Sequence, residues 1–255
     1  MRLIYFFIAL LATSIGGIAG IGGGIIIKPC LDTVGSFDVA TIGMFSSITV
    51  LCMATVSTAR FLHSGMKIDV KLAVTLSIGA AVGGVMGKYL FSIFADSVSD
   101  NKAKGIQGIL LIVLIIFVLF RSVYPGFHIE NVWIILLSGL IMGVVSSFLG
   151  IGGGPINIAV LCIAFSVSVR DAAVYSIFTI FFSQLTTVIS NVITPGIGNY
   201  DLSMVVFMIP GAIIGALIGS YLNRKLSDRT VDRLFNVVLV LLIMLNVTNI
   251  YRFLF

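Results

Sequence analysis

The sequence predicts an all-α polytopic membrane protein, with about eight hydrophobic segments in two homologous halves of four, segments 1 and 5 being broken by glycine. Three observations predict it. Of the 255 residues, 59% are hydrophobic and 10% charged, and the mean hydropathy is +1.19; an ordinary soluble domain carries about 25% charged residues. The apolar runs are long enough to cross a bilayer, which takes about 20 residues at 1.5 Å rise each. The glycine-rich runs of the first half also return in the second.

Leu3–Leu31 opens the chain. Arg2 before an apolar run, with Ala12-Thr13-Ser14 after it, imitates a secretory signal, but the apolar run continues into Ile25–Ile27 and so reads as a retained first span. Val39–Leu62, Val70–Phe94 and Gly105–Phe120 complete the first half, residues 1–125. Val132–Phe165, Ala172–Ile193, Leu202–Leu222 and Val231–Leu254 make the second, residues 126–255. The longest polar stretches, Asp96–Lys104 and Asn223–Arg233, leave no room for a soluble domain. The net charge of +5 comes from Lys and Arg flanking the spans, which set topology and do not point to nucleic acid. Cys30, Cys52 and Cys162 are odd in number and lie in or beside apolar runs, so they read as packing residues. His63 and His128 sit far apart at span ends and make no metal site. No nucleophile–base pair or metal cluster is visible, so the sequence predicts neither an enzyme nor a cofactor.

The duplication is specific. Gly20-Ile21-Gly22-Gly23-Gly24 recurs as Gly150-Ile151-Gly152-Gly153-Gly154, about 130 residues on. The block Gly79–Leu90 recurs as Gly211–Leu222, keeping its glycines four apart and its Tyr-Leu end. Asp69 matches Asp201, and Ser99-Asp100 matches Ser227-Asp228. Secondary transporters are often duplicated, with the site between the halves near the bilayer midplane. Both equivalent polar loops, Asp96–Lys104 and Asn223–Arg233, are basic, and the positive-inside rule then places both in the cytoplasm. That favours parallel halves, with all four segments of each crossing and both termini outside; re-entrant portions in segments 1 and 5 would instead make the halves inverted.

Leu3–Leu31 as one helix would run about 44 Å, beyond the roughly 30 Å hydrocarbon core. Glycine costs a helix about 1 kcal/mol relative to alanine, so Gly22–Gly24 and Gly152–Gly154 are expected breaks, and Pro155 suits the first turn of a restarting helix. Broken backbone at membrane depth is tolerated where it is buried in protein or lines a cavity. The N–H groups at a half-helix N-terminus carry partial positive charge, so glycine there offers an anion a close approach without a charged side chain. The alternative is that these glycines serve close helix packing, which is the better reading of Gly79/Gly83/Gly87 and Gly211/Gly215/Gly219.

Polar residues within the spans complete the candidate anion site: Ser46 and Ser47 in segment 2, Asn157 after the second break, and Thr179, Ser183 and Gln184 in segment 6. Gln184 is the costliest to bury and the best single candidate. Lys28 is a counter-charge or an interfacial residue beside Pro29 and Asp32, with the interface favoured. All ten acidic residues fall at span ends or in loops, which argues against cation transport and leaves proton coupling without a carrier side chain.

On the two glycine motifs, with Gly16-Gly17 before the first and Pro155 after the second, and on the Gly79–Leu90 and Gly211–Leu222 blocks, the chain resembles the TauE/SafE sulfite-exporter family over nearly its whole length. The resemblance implies a transporter of sulfite, organosulfonates or related sulfur-containing anions in the cell membrane. The expected function is therefore secondary transport of a small anion by alternating access between two halves. An anion channel or a membrane scaffold is the alternative, and a homo-oligomer is left open.

Overall fold

The computed structural model describes residues 2–34, 37–63, 69–121, 124, 126–193 and 200–254. The described residues form helices in chain order: α1 (Arg2–Ala19), α2 (Gly24–Val34), α3 (Val39–His63), α4 (Val70–Ser97), α5 (Asp100–Leu119), α6 (Val132–Leu149), α7 (Pro155–Phe165), α8 (Val169–Asn191), α9 (Val205–Lys225) and α10 (Asp228–Leu254). All except α2 and α7 are long and apolar enough to cross a membrane, which makes eight. The chain is thus a multi-pass membrane protein. Outward faces carry large apolar side chains such as Leu3, Val85, Ile141 and Val247, as contact with lipid requires. Local chemistry sets the helix starts. The Asp69, Asn131 and Ser168 side chains cap α4, α6 and α8 by accepting from Leu72, Trp133 and Asp171 backbone N–H groups. Pro155 opens α7.

Each long glycine-broken segment is a hairpin rather than a kinked span. Past α7 the chain has returned to where α6 began: Phe127 N–H donates to the Ile163 carbonyl at 2.7 Å, and Ile129 N–H to that of Ala164 at 3.1 Å. At the other hairpin, Phe37 beyond α2 meets Tyr5 in the first turn of α1, ring centroids 6.2 Å apart. The pairs α1–α2 and α6–α7 therefore each enter and leave on one face.

This changes the parity of each half from even to odd, and the halves are inverted, not parallel. Helix directions can be read from contacts. In α5 and α10, Arg121 just past α5 pairs with Asp232 near the start of α10, while Lys104 lies 5.6 Å over the Phe253 ring at the opposite end. These equivalent helices run antiparallel. So do α3 and α8, whose Ala40, Gly43 and Ser47 face Asn191 and Thr187. One helix of each half is exchanged: α1 lies parallel on α9, and α6 parallel on α4. Gly211, Gly215 and Gly219 take up successive turns of α1 from Phe6 to Gly17, and Gly79, Gly83 and Gly87 do the same along α6 from Leu136 to Val144. These stripes pack helices, as small residues do in membranes. Arg2 and Leu254 share one face, here the terminal face, with the α4–α5 junction. The α9–α10 junction lies on the far face.

The parallel expectation failed because it counted a re-entrant hairpin as a crossing and took Lys104 for a loop charge. Lys104 is buried, with its Nζ 2.9 Å from Asp100 and 2.8 Å from the Phe37 carbonyl. Lys67, one of the basic residues flanking the spans, lies outside the described residues.

Candidate functional site

The two glycine breaks meet. A Cβ on Gly22 would stand 2.8 Å from the Gly152 carbonyl oxygen and 3.0 Å from Ile180, and one on Gly152 would stand 2.8 Å from Val50. A Cβ on Gly24 would overlap the Ile151 carbonyl and lie 2.7 Å from Ser46 Oγ. The contact therefore sits between α3 and α8 at Val50 and Ile180, near mid-helix in both. Gly22 and Gly152, with φ of 77° and 71°, hold the left-handed region that glycine occupies without strain.

Around this contact lie polar groups with unmet hydrogen-bonding capacity. Ser46 Oγ, Thr49 Oγ1, Asn157 Oδ1 and Gln184 Oε1 are buried without partners. Asn157 Nδ2 lies 3.2 Å from where a Gly153 Cβ would be. Gln184 Nε2 donates weakly to Ser146 Oγ at 3.5 Å. Thr179 Oγ1 turns away to the Tyr175 carbonyl of its own helix, and Ser183 Oγ lies against Gly84 of α4, so neither joins the contact. Lys28 is buried, not interfacial: it is 4% exposed and its Nζ donates to Gln107 Oε1 at 2.7 Å. Asp32 is likewise 6% exposed: it lies in the last turn of α2, at a helix end as expected, but is buried there. Pro155 leaves α7 one N–H fewer than α2 has at its start.

From the terminal face a narrow crevice of about 20 Å³, room for roughly one water molecule, reaches Gly150. Gly43 and Ser47 of α3, Lys88 of α4, Gln107 of α5, Ser147 of α6, and Thr187 and Asn191 of α8 line it. Ser147 and Thr187 hydroxyls share a hydrogen bond of 2.7 Å. At its mouth Asp38 titrates below the usual carboxylate range: burial opposes this, but the Thr41 hydroxyl and backbone N–H donate to it and prevail. The equivalent place on the far face is closed. Where Gly43 leaves space beside Gly150, its counterpart Ala173 packs directly on Gly20, and Ser176 Oγ donates to the Gly20 carbonyl at 2.6 Å. Where Asn191 lines the crevice, its counterpart Phe61 is fully buried. Asn223 Nδ2 fastens the Ile18 carbonyl at 2.6 Å.

Lys88, Gln107, Ser146 and Ser147 were not singled out from sequence. One signal for Lys88 was available: it is the cation in a glycine-spaced face whose repeat counterpart is Ser220.

Eight apolar helices, with two glycine-broken hairpins meeting among them and a polar crevice beside their contact, are the features of a membrane transport protein. The family model "Sulfite exporter TauE/SafE" matches residues 5–245, and the chain belongs to that family. It is also similar to a probable membrane transporter protein, YunE, of Bacillus subtilis (strain 168), with 23% identity over 231 residues covering 80% of this chain and 82% of the relative. No solved structure matches.

Proposed function

We propose that this chain exports small sulfur-containing anions, sulfite and organosulfonates above all, by alternating access, with the anion passing between the two glycine breaks. The observation that carries the reading is the one-sided crevice: polar groups lead from the terminal face to Gly150, while the matching place on the far face is packed shut. Two inverted halves, one open and one closed, are what alternating access exchanges. Ser46, Ser47, Asn157, Gln184 and Lys28, with the N–H groups opening α2, supply donors to an oxyanion. Gly22–Gly24 and Gly152–Gly154 let it approach the backbone. Lys and Arg predominate on the far face, at Arg60, Lys71, Arg121, Arg170, Arg224, Lys225, Arg229 and Arg233, which orients that face to the cytoplasm and the open crevice outward.

A thermal-shift screen of purified protein with sulfite, thiosulfate, sulfate, taurine and sulfoacetate tests the substrate class. Stabilisation by a sulfonate or sulfite above sulfate is expected, and no shift with any of them rejects it. Counterflow in proteoliposomes tests the mechanism. Preloaded unlabelled anion accelerates labelled uptake in a carrier, and its failure to do so makes the protein a channel.

A further inference from the structure

The half-helices α2 and α7 hold matching places, yet they carry different chemistry. About 130 residues on from Lys28 and Asp32 stand Ile158 and Cys162. The α7 position packs with neutral side chains, so the fold itself does not demand two buried charges there. Buried charges are costly and stabilise poorly compared with apolar packing, and inside a membrane protein they mark function.

The surroundings of Asp32 indicate which function. It faces a small chamber of about 10 Å³, at the limit of what one water molecule needs, lined by Lys28 one turn earlier on α2, Lys104 and Gln107 on α5, and Asn246, Asn249 and Phe253 on α10. Asp100 is the other acid of the group and pairs with Lys104 at 2.9 Å. Asn249 is engaged elsewhere, donating to the Pro29 carbonyl at 2.9 Å and accepting from Thr33 Oγ1 at 2.9 Å. Asn246 Nδ2 donates to the Leu242 carbonyl at 2.8 Å. Asp32 Oδ1 is buried with no hydrogen-bond partner. Lys28 Nζ bonds Gln107 Oε1 instead, and Gln107 Nε2 holds the Phe148 carbonyl at 2.8 Å. Gln107 lines both this chamber and the crevice. The Lys28 stem passes 3.9 Å from the Gly150 Cβ position. The one lysine therefore stands between a carboxylate with a vacant oxygen and the end of the crevice.

We infer that Asp32 is a proton-coupling site, binding one proton for each anion carried and thereby releasing the Lys28 charge to the anion. With Asp32 ionised, its carboxylate balances Lys28. A proton from solution converts it to the neutral acid. Lys28 is then an unbalanced cation beside Gly150 and draws the anion in. Release of the proton on the other side restores the Asp32 charge, which offsets Lys28 again and expels the anion. One proton moves with each anion: a monovalent anion crosses without net charge, a dianion such as sulfoacetate crosses with one net negative charge, and an excess of anion in the cytoplasm drives the same step outward as export. This rests on the anion reading above.

The test uses purified full-length protein and sulfoacetate as probe. For one proton per anion, a pH gradient of one unit, acid outside, raises accumulation in proteoliposomes about tenfold in the wild type. Asp32→Asn is expected to lose that gain while retaining sulfoacetate exchange at symmetric pH, and Asp32→Glu to recover it. An undiminished gain in Asp32→Asn overturns the inference. An infrared pH titration of the same preparations covers the remaining cases. A protonated-carboxyl band that titrates in the wild type and is missing from Asp32→Asn upholds the site even if that variant also loses exchange. Identical titrations overturn it. If wild-type protein moves no sulfoacetate, the anion reading falls on that result, and the infrared titration alone decides Asp32.

Discussion

Gly43 offers a perturbation whose effects on stability and on transport separate. It lies inside α3, and a Cβ built there meets nothing within 4 Å. Replacing a helical glycine by alanine gains about 1 kcal/mol from backbone entropy, and for a chain of this size that raises Tm by about 2–4 °C. Gly24 is the control, being helical and without positive φ. There the same methyl group would overlap the Ile151 carbonyl and crowd Ser46 Oγ at 2.7 Å. Gly24→Ala should therefore melt below the wild type. Gly43→Leu keeps the helix propensity and puts its side chain into the crevice beside Ser47, Lys88 and Gly150. Thermal unfolding in detergent and counterflow in proteoliposomes read the two consequences. Gly43→Ala should melt higher and transport normally. Gly43→Leu should melt no lower than wild type yet lose about tenfold or more in counterflow, about 1.4 kcal/mol on the transport barrier. Wild-type counterflow in Gly43→Leu would refute passage through this crevice. A lowered Tm in Gly43→Ala would refute the open space itself.

Three further outcomes follow from the geometry. Single cysteines at Lys102 and Arg229, in a background without the native three, should differ: an impermeant thiol reagent outside intact cells labels the first and spares the second, and matching labelling of both would restore parallel halves. Gln184→Leu removes a weak bond and an unpartnered oxygen, so stability should stay within about 1 kcal/mol while the anion-induced thermal shift disappears; a preserved shift assigns Gln184 to packing. Gly23→Ala and Gly153→Ala each force alanine to a φ of 73° or 110° and crowd Ala12 or Ile180, so both should lose at least about 1 kcal/mol, and a Tm at or above wild type would contradict the break geometry.

Membrane class, segment count and helix-packing stripes were legible in the sequence because each rests on a local quantity. Hydropathy over about 20 residues finds a span, and glycines four apart mark a smooth face whatever they face. The breaks at Gly20–Gly24 and Gly150–Gly154 were legible for the same reason. The direction taken after each break was not. Whether Gly24 continues a span or turns back is decided by Phe127 and Ile129 pairing with Ile163 and Ala164, and by Phe37 reaching Tyr5. None of these contacts has a signature within one segment. Every later crossing inherits the error, so the misread hairpins reversed the predicted relation of the halves. The burial of Lys28 and Asp32 was missed from the same cause. In a kinked span they fall at its outer end, whereas a returning half-helix buries them against α5 and α10.

The departures from symmetry say more about function than the symmetry does. An inverted repeat built of two identical halves would place the same groups on both faces and have no reason to rest open toward either. Here the substitutions run in one direction. Gly43, Asn191 and Lys88 on the terminal face stand against Ala173, Phe61 and Ser220 on the far one. Each exchange leaves the terminal side roomier or more polar and the far side better packed. The charges of α2 add to this bias, since Lys28 and Asp32 have neutral counterparts in α7. A bistable protein shifts its populations by the differential affinity of ligands for its two states. With the packing favouring closure of the far face, the state open to the cytoplasm must gain stability from something bound. An anion at the glycine contact and a proton on Asp32 supply that difference together, so neither ligand alone should drive the exchange of faces as far as both.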